Sequence, residues 1–212
     1  MPILAELLGQ FIGVGIIAII IVFQQEIRQF LFSIGERANI DKPKLWLDRL
    51  INHRHKERSP LRIDEITQAV KKLSIRKEGA LIILQRSSDL TLHLQGSTKL
   101  NADILAPLIE ATFHKDNSMH DGGMYIAIGR IRAVRCVLPV TQRIDLAPEL
   151  GMRHRAALGL AEKTDALIIV VSEETGLISI AMDGQLHRGI AEQDLYEILD
   201  KEFNPKEDET AK

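Results

Sequence analysis

The sequence predicts an α/β domain preceded by an N-terminal membrane helix. Two observations predict the domain. Short apolar runs with strand character alternate with amphipathic stretches at helical spacing between residues 59 and 203, and turn residues punctuate them. The third observation concerns the first 23 residues, where Phe11–Phe23 is a run of 13 without a polar side chain.

A spanning helix needs about 20 predominantly apolar residues. Extending the run back to Pro2 gives 22 residues interrupted only by Glu6 and Gln10. Ile16, Ile17, Ile19, Ile20, Ile21 and Val22 cover every face of a helix, which suits lipid better than a one-sided core. No basic segment precedes the run and no small-x-small site follows it, which argues against a secretory signal. A buried helix of the globular domain is the alternative. Arg28, Arg37, Lys42, Lys44 and Arg49 follow the run, so the positive-inside rule puts the body of the chain in the cytoplasm, with residues 1–23 as membrane segment. Gly13-Val14-Gly15-Ile16-Ile17-Ala18 matches a dinucleotide-binding spacing, but no strand precedes it; close helix packing is the better use for those glycines. Residues 24–58 form a charged connector, in which His53 and His55 sit among cations and read as a solvated juxtamembrane stretch.

Ser59-Pro60 reads as an N-cap and first helical position. Ile63, Ile66, Val70 and Leu73 then recur at helical spacing until Gly79. Ala80–Leu84 is a buried strand and Asn101–Phe113 a second amphipathic helix. Met124–Ile128 and Ala133–Val140 are strands around a turn at Gly129-Arg130. Ala156–Lys163 is helical, Ala166–Val171 and Leu177–Ala181 are strands, and Asp183-Gly184 is a turn. Ala191–Phe203 is the last helix, and residues 204–212 are a polar tail.

Composition bounds the chemistry. The 212 residues are 45% apolar and carry a net charge of −2, which argues against a generic nucleic-acid coat. The single cysteine, Cys136, excludes an intrachain disulfide and a cysteine-based zinc site. Three polar clusters fall at the ends of apolar strands, where open α/β sheets place ligands. In His120-Asp121-Gly122-Gly123, two glycines allow close backbone approach, and the Asp can bind a metal or take a proton from a hydroxyl. A tight turn capped by Asp is the other reading. Gly151-Met152-Arg153-His154-Arg155 precedes a helix, where free N–H groups and added cations suit a polyphosphate. A solvated basic turn is its alternative. Ser172-Glu173-Glu174-Thr175-Gly176 places two carboxylates side by side, able to complete a metal site with His120 or Asp121, or to form an exposed acidic turn. Together the clusters are equipment for phosphoryl or nucleotidyl transfer.

The order of these clusters, with Leu138-Pro139 between the first two and Arg-His-Arg-Ala-Ala-Leu-Gly at 153–159, resembles the diadenylate cyclase domain over about residues 79–203. The apolar run followed by Val22-Phe23-Gln24-Gln25-Glu26-Ile27-Arg28 resembles that family's membrane-bound branch. The resemblance implies a mixed β-sheet flanked by helices, in a catalytic domain spanning 59–203. It implies condensation of two ATP into cyclic di-AMP and two pyrophosphates, with Mn²⁺ or Mg²⁺ as cofactor and two subunits face to face. It assigns Asp121 to the 3′-hydroxyl. Gly122, Gly123, Met152, Arg153, His154, Arg155, Ser172 and Glu173 fall to ATP and its phosphates, Leu138 to adenine, and His120, Asp121 and Glu174 to the metal. The chain departs from the family's pattern at Gly123, where the family has alanine, at Met152, where it has threonine, and at Val137, where an aromatic residue often stands. Met152 has no hydroxyl to donate. The membrane branch usually has three spanning helices against one apolar run here, so either an upstream portion lies outside this sequence or the chain is a short variant. A silent regulator that binds ATP or cyclic di-AMP on the same scaffold is the competing function. The sequence assigns no regulatory partner.

Overall fold

The computed structural model describes residues 22–24, 61–91, 93–94, 96–147 and 149–204. The expected membrane segment and connector, apart from Val22–Gln24, lie outside the described residues, as does the tail beyond 204. Among the described residues no helix is long and apolar enough to cross a membrane.

The described residues from Leu61 to Asn204 belong to one compact unit. Helix α1 spans Ile63–Arg76, followed by strand β1 at Ala80–Leu84, β2 at Thr98–Asp103 and helix α2 at Ala106–Phe113. Strands β3 (Gly123–Ala127) and β4 (Arg130–Cys136) precede helix α3 at Met152–Ala161. Then come β5 (Leu167–Val171), β6 (Ile178–Met182), β7 (Gln185–Arg188) and helix α4 at Glu192–Phe203. The seven strands form one sheet in the order β2-β4-β3-β1-β5-β6-β7. Strands β1 and β3 are parallel and the other pairings antiparallel, so the sheet is mixed, as expected.

The central strands are wholly buried because helices cover both faces, which is why they read as unbroken apolar runs. On one face Ile82, Leu84, Ile126, Ile169 and Val171 pack with α1, α2 and α4. On the other, Leu81, Ile83, Tyr125, Ile168 and Val170 pack with α3. Helix α1 buries Ile66, Val70 and Leu73 completely, each contributing about 1.5–3 kcal/mol.

Several expected boundaries move. The cap expected at Ser59-Pro60 falls outside the described residues; the helix begins later, with Arg62 as an N-cap that makes no side-chain hydrogen bond. The helix expected from Asn101 starts at Ala106, because Asn101–Asp103 belong to an edge strand whose Ala102 and Asp103 pair with β4. Strand β4 starts at Arg130 and ends at Cys136, with a single bridge at Val137 and irregular chain at 138–140. Helix α3 starts at Met152, so Arg153, His154 and Arg155 stand within its first turns instead of before it. Edge strands β2 and β7 have no counterpart in the expected elements.

Candidate functional site

A cleft of about 580 Å³ opens at one end of the sheet, within the range typical of small-molecule sites. The mixed topology brings together the amino ends of β1 and β3 with the carboxyl ends of β4 and β5, and α3 begins beside them. All three clusters converge here. His120, Asp121, Gly122, Met152, Arg153, His154, Ser172, Glu173 and Glu174 line the cleft, and so does Leu138. Gly123 and Arg155 do not.

The turn into β3 is set by two features. His120 Nδ1 donates to the Asn117 carbonyl at 2.7 Å, because a carbonyl only accepts. In the neutral imidazole tautomer that makes this bond, Nε2 carries the lone pair. Gly122 has φ +103°, and a Cβ there would meet the backbone of Arg135 at 2.8 Å, so only glycine fits. The register between β3 and β4 shifts at this point, with Arg135 at φ 58°. The bulge presses β4 against the turn. Asp121 is exposed at its tip. No other described residue holds its carboxylate in a hydrogen bond or ion pair. Gly123 begins β3, and its missing methyl is filled by Ile83 Cδ1, which would lie 2.7 Å from a Cβ.

Consecutive residues on an α-helix project about 100° apart, so three in a row cannot face one ligand. The α3 start shows the consequence. Arg153 reaches across the entry to β1, where a Cβ on Gly79 would meet its guanidinium at 2.6 Å. Its Nη1 donates to Glu173 Oε2 at 2.6 Å. His154 is buried, and its Nδ1 has no hydrogen-bond partner. Burial, and secondarily the charge of Arg188, hold its pKa below the ordinary histidine value, so it is neutral at pH 7. Arg155 turns away: its Nε donates to the Leu150 carbonyl and its own carbonyl accepts from Thr141 N–H. The expected basic trio thus divides: Arg153 and His154 line the cleft, and Arg155 does not. Met152 is largely exposed beside them.

The Ser172–Gly176 segment links β5 to β6. Ser172 N–H donates to the Leu177 carbonyl, Gly176 N–H to the Ser172 carbonyl and Thr175 N–H to Ser172 Oγ. This tight loop holds Glu173 and Glu174 in solvent at the cleft edge. On the other side Cys136, Leu138 and Val140 give an apolar wall, with Val137 59% exposed. The wall is held against α3 by Gly159, where a Cβ would meet Pro139 O at 2.3 Å and Thr141 N at 2.5 Å. Glu149, which pairs with Arg188 at 3.4 Å, and Leu81 also line the cleft. Neither stands out in the sequence: Leu81 is hidden in an apolar strand and Glu149 in a polar loop.

Among the described residues no three His, Cys, Asp or Glu side chains stand close enough to hold a metal ion alone. The donor set still suits a hard cation shared with phosphates. Mg²⁺ is commonly held by one or two carboxylates plus substrate phosphates, and the Nδ1–H bond to a carbonyl is the arrangement that orients a ligating His through Nε2.

Residues 67–186 match the family model described as DAC, DisA bacterial checkpoint controller nucleotide-binding. The chain is 34% identical over 205 residues to the cyclic di-AMP synthase CdaA of Bacillus subtilis, covering 97% of this chain and 72% of that one. It is 37% identical over 194 residues to a diadenylate cyclase of Listeria monocytogenes, covering 92% and 68%. A crystal structure of DacA from Staphylococcus aureus, a double mutant, superimposes with a TM-score of 0.65 at 33% identity, over 66% of this chain and 94% of that one. Fold and site together define a nucleotide-binding α/β domain. The chain belongs to the DAC nucleotide-binding family.

Proposed function

We propose that this chain is a diadenylate cyclase, condensing two ATP into cyclic di-AMP with release of two pyrophosphates. The observation that carries this reading is the convergence on one cleft of an unpaired carboxylate, a helix start with a cation, and an apolar wall. The names of the Bacillus and Listeria relatives support it.

Adenine lies against the apolar wall at Leu138. The phosphates lie toward the start of α3, where free N–H groups and Arg153 meet them, with Ser172 and Glu173 at the opposite lip. Asp121 accepts the proton of a ribose 3′-hydroxyl. The 3′-oxygen forms a bond to an α-phosphorus as the bond from that phosphorus to the bridging oxygen of pyrophosphate breaks. Two such steps close the ring. His120 Nε2, Asp121 and Glu174 would hold a divalent ion, Mn²⁺ or Mg²⁺, together with phosphate oxygens. When bound, that ion neutralises phosphate charge and polarises the phosphoryl group under attack.

One cleft presents one 3′-hydroxyl and one α-phosphorus, while the product needs two of each. Two copies therefore meet face to face, each nucleotide attacking the other. The apolar run at 11–23 and its basic flank support a membrane anchor with the catalytic unit on the cytoplasmic side. Incubating the full chain with ATP and Mn²⁺ or Mg²⁺, and separating the products by chromatography, tests the reading. Cyclic di-AMP is the expected product. Tight ATP binding without turnover under either ion would instead establish the silent regulator.

A further inference from the structure

The end of α1 meets the cleft from behind, outside every sequence cluster. Its C-cap, Lys77, is left-handed (φ 54°) and turns the chain so that its N–H bonds back to Ser74 O while Glu78 N–H bonds back to Leu73 O. Two contacts then tie this cap to the cleft. Ser74 Oγ donates to the Gly176 carbonyl at 2.6 Å, across 102 residues of sequence. Gly176 has φ +78°, and a Cβ there would meet Ser74 O at 2.5 Å, so backbone rests on backbone. Two residues beyond Lys77, Gly79 lies beneath the Arg153–Glu173 pair, where a Cβ would meet Arg153 Nη1 at 2.6 Å and Glu173 Oε2 at 3.0 Å.

We infer that Ser74 is a positioning residue: it fixes the Ser172–Gly176 loop on the α1 C-cap and so sets where Glu173 and Glu174 stand at the cleft. The loop's own hydrogen bonds give it a shape but not a place. Ser172 N–H to Leu177 O and Gly176 N–H to Ser172 O are both internal to the hairpin. Ser74 Oγ joins the loop's backbone to α1, while the Arg153–Glu173 pair ties only a side chain of the loop to α3. The two carboxylates are otherwise solvent-exposed, so their location depends on where this backbone is held. The consequence for nucleotide binding rests on the cyclase reading of the cleft; the placement of the loop does not.

The test compares full-length wild type with Ser74→Ala, Ser74→Thr and Ile75→Ala, the last an exposed neighbour on the same turn. Alanine is the stronger helix former, so α1 keeps its propensity in Ser74→Ala. Hydrogen exchange on the nucleotide-free chain reads the loop directly. The amides of 172–177 in Ser74→Ala should exchange about five-fold faster, the loss expected for one hydrogen bond, with the amides of β1 and β5 unchanged. Apparent ATP affinity should weaken by a similar factor. Thr should restore both, and Ile75→Ala should change neither. Wild-type exchange across 172–177 in Ser74→Ala would overturn the inference, as would a loosened loop with unaltered ATP affinity. Failure of the cyclase reading shows separately, as a wild type that makes no product.

Discussion

Arg153 and Glu173 are joined by a 2.6 Å ion pair between the first turn of α3 and the β5–β6 loop, stacked over the bare backbone of Gly79. Glu173 is 63% exposed, so the pair itself contributes at most about 1 kcal/mol to stability. Its consequence is positional. The guanidinium is held at the cleft before any phosphate arrives, and the carboxylate offsets a cation at a helix start, where the dipole disfavours it.

Arg153→Ala is therefore expected to leave the melting temperature nearly unchanged and to weaken ATP binding by about 1.5–3 kcal/mol, the loss of a charge-assisted phosphate contact. Arg155→Ala should behave in the opposite way. It loses its bond to the Leu150 carbonyl, so stability falls more than affinity. Calorimetric unfolding and equilibrium binding on both variants separate the two arginines. Equal affinity losses would contradict the assignment.

Gly159→Ala should disable the cleft from outside it. The added methyl meets three backbone atoms of residues 139–141 rather than movable side chains. Either α3 or the apolar wall must shift, at a cost of about 1–3 kcal/mol. Thermal unfolding and ATP affinity should both suffer, whereas Gly151→Ala, with nothing within 4 Å, should leave stability almost untouched.

Acid should destabilise the protein partly through His154. Its folded pKa is lowered, first by burial and then by Arg188, so the unfolded chain binds the proton more readily. The stabilising effect of the neutral imidazole is complete above pH 6.5, the unfolded value, and is lost as the pH falls from there toward the folded pKa. Melting temperature followed from pH 7.5 to 5.5 should drop less steeply in His154→Gln than in wild type. Parallel curves would remove His154 from this account.

The sequence reveals the interior of this fold better than its margins. Ala80–Leu84 and Leu167–Val171 are legible because a strand covered on both faces must be apolar at every position. Edge strands Thr98–Asp103 and Gln185–Arg188 are not, because they face solvent and carry polar residues that read as loop. The cleft divides in the same way. Its clusters are visible as residue types at chain positions, and the fold brings all three together. What the sequence withholds is direction: that Arg155 faces the Leu150 carbonyl, that His154 is buried, and that Ser74 touches Gly176. Each depends on packing between segments distant in sequence or on the exact start of a helix.

Pairing of two domains gives a kinetic expectation. The fragment lacking residues 1–58 retains all seven strands and the four helices that pack on them. Its specific activity should rise with enzyme concentration, because the reaction requires two loaded copies to meet. The full chain in membranes should show less of this dependence, since confinement raises local concentration. Constant specific activity on dilution, in a fragment that light scattering finds monomeric, would rule out face-to-face attack.

The role proposed for the exposed carboxylate of Asp121 is to act on the 3′-hydroxyl of ATP in this cleft. The most direct measurement is cyclic di-AMP formation by Asp121→Asn beside wild type, with ATP binding measured on the same samples. The substitution keeps the side chain's size and disturbs no hydrogen bond with another described residue, so the fold should be retained. Wild type is expected to form cyclic di-AMP, while Asp121→Asn binds ATP but forms none. Near-wild-type product from the variant, or its absence from wild type that binds ATP, would contradict it.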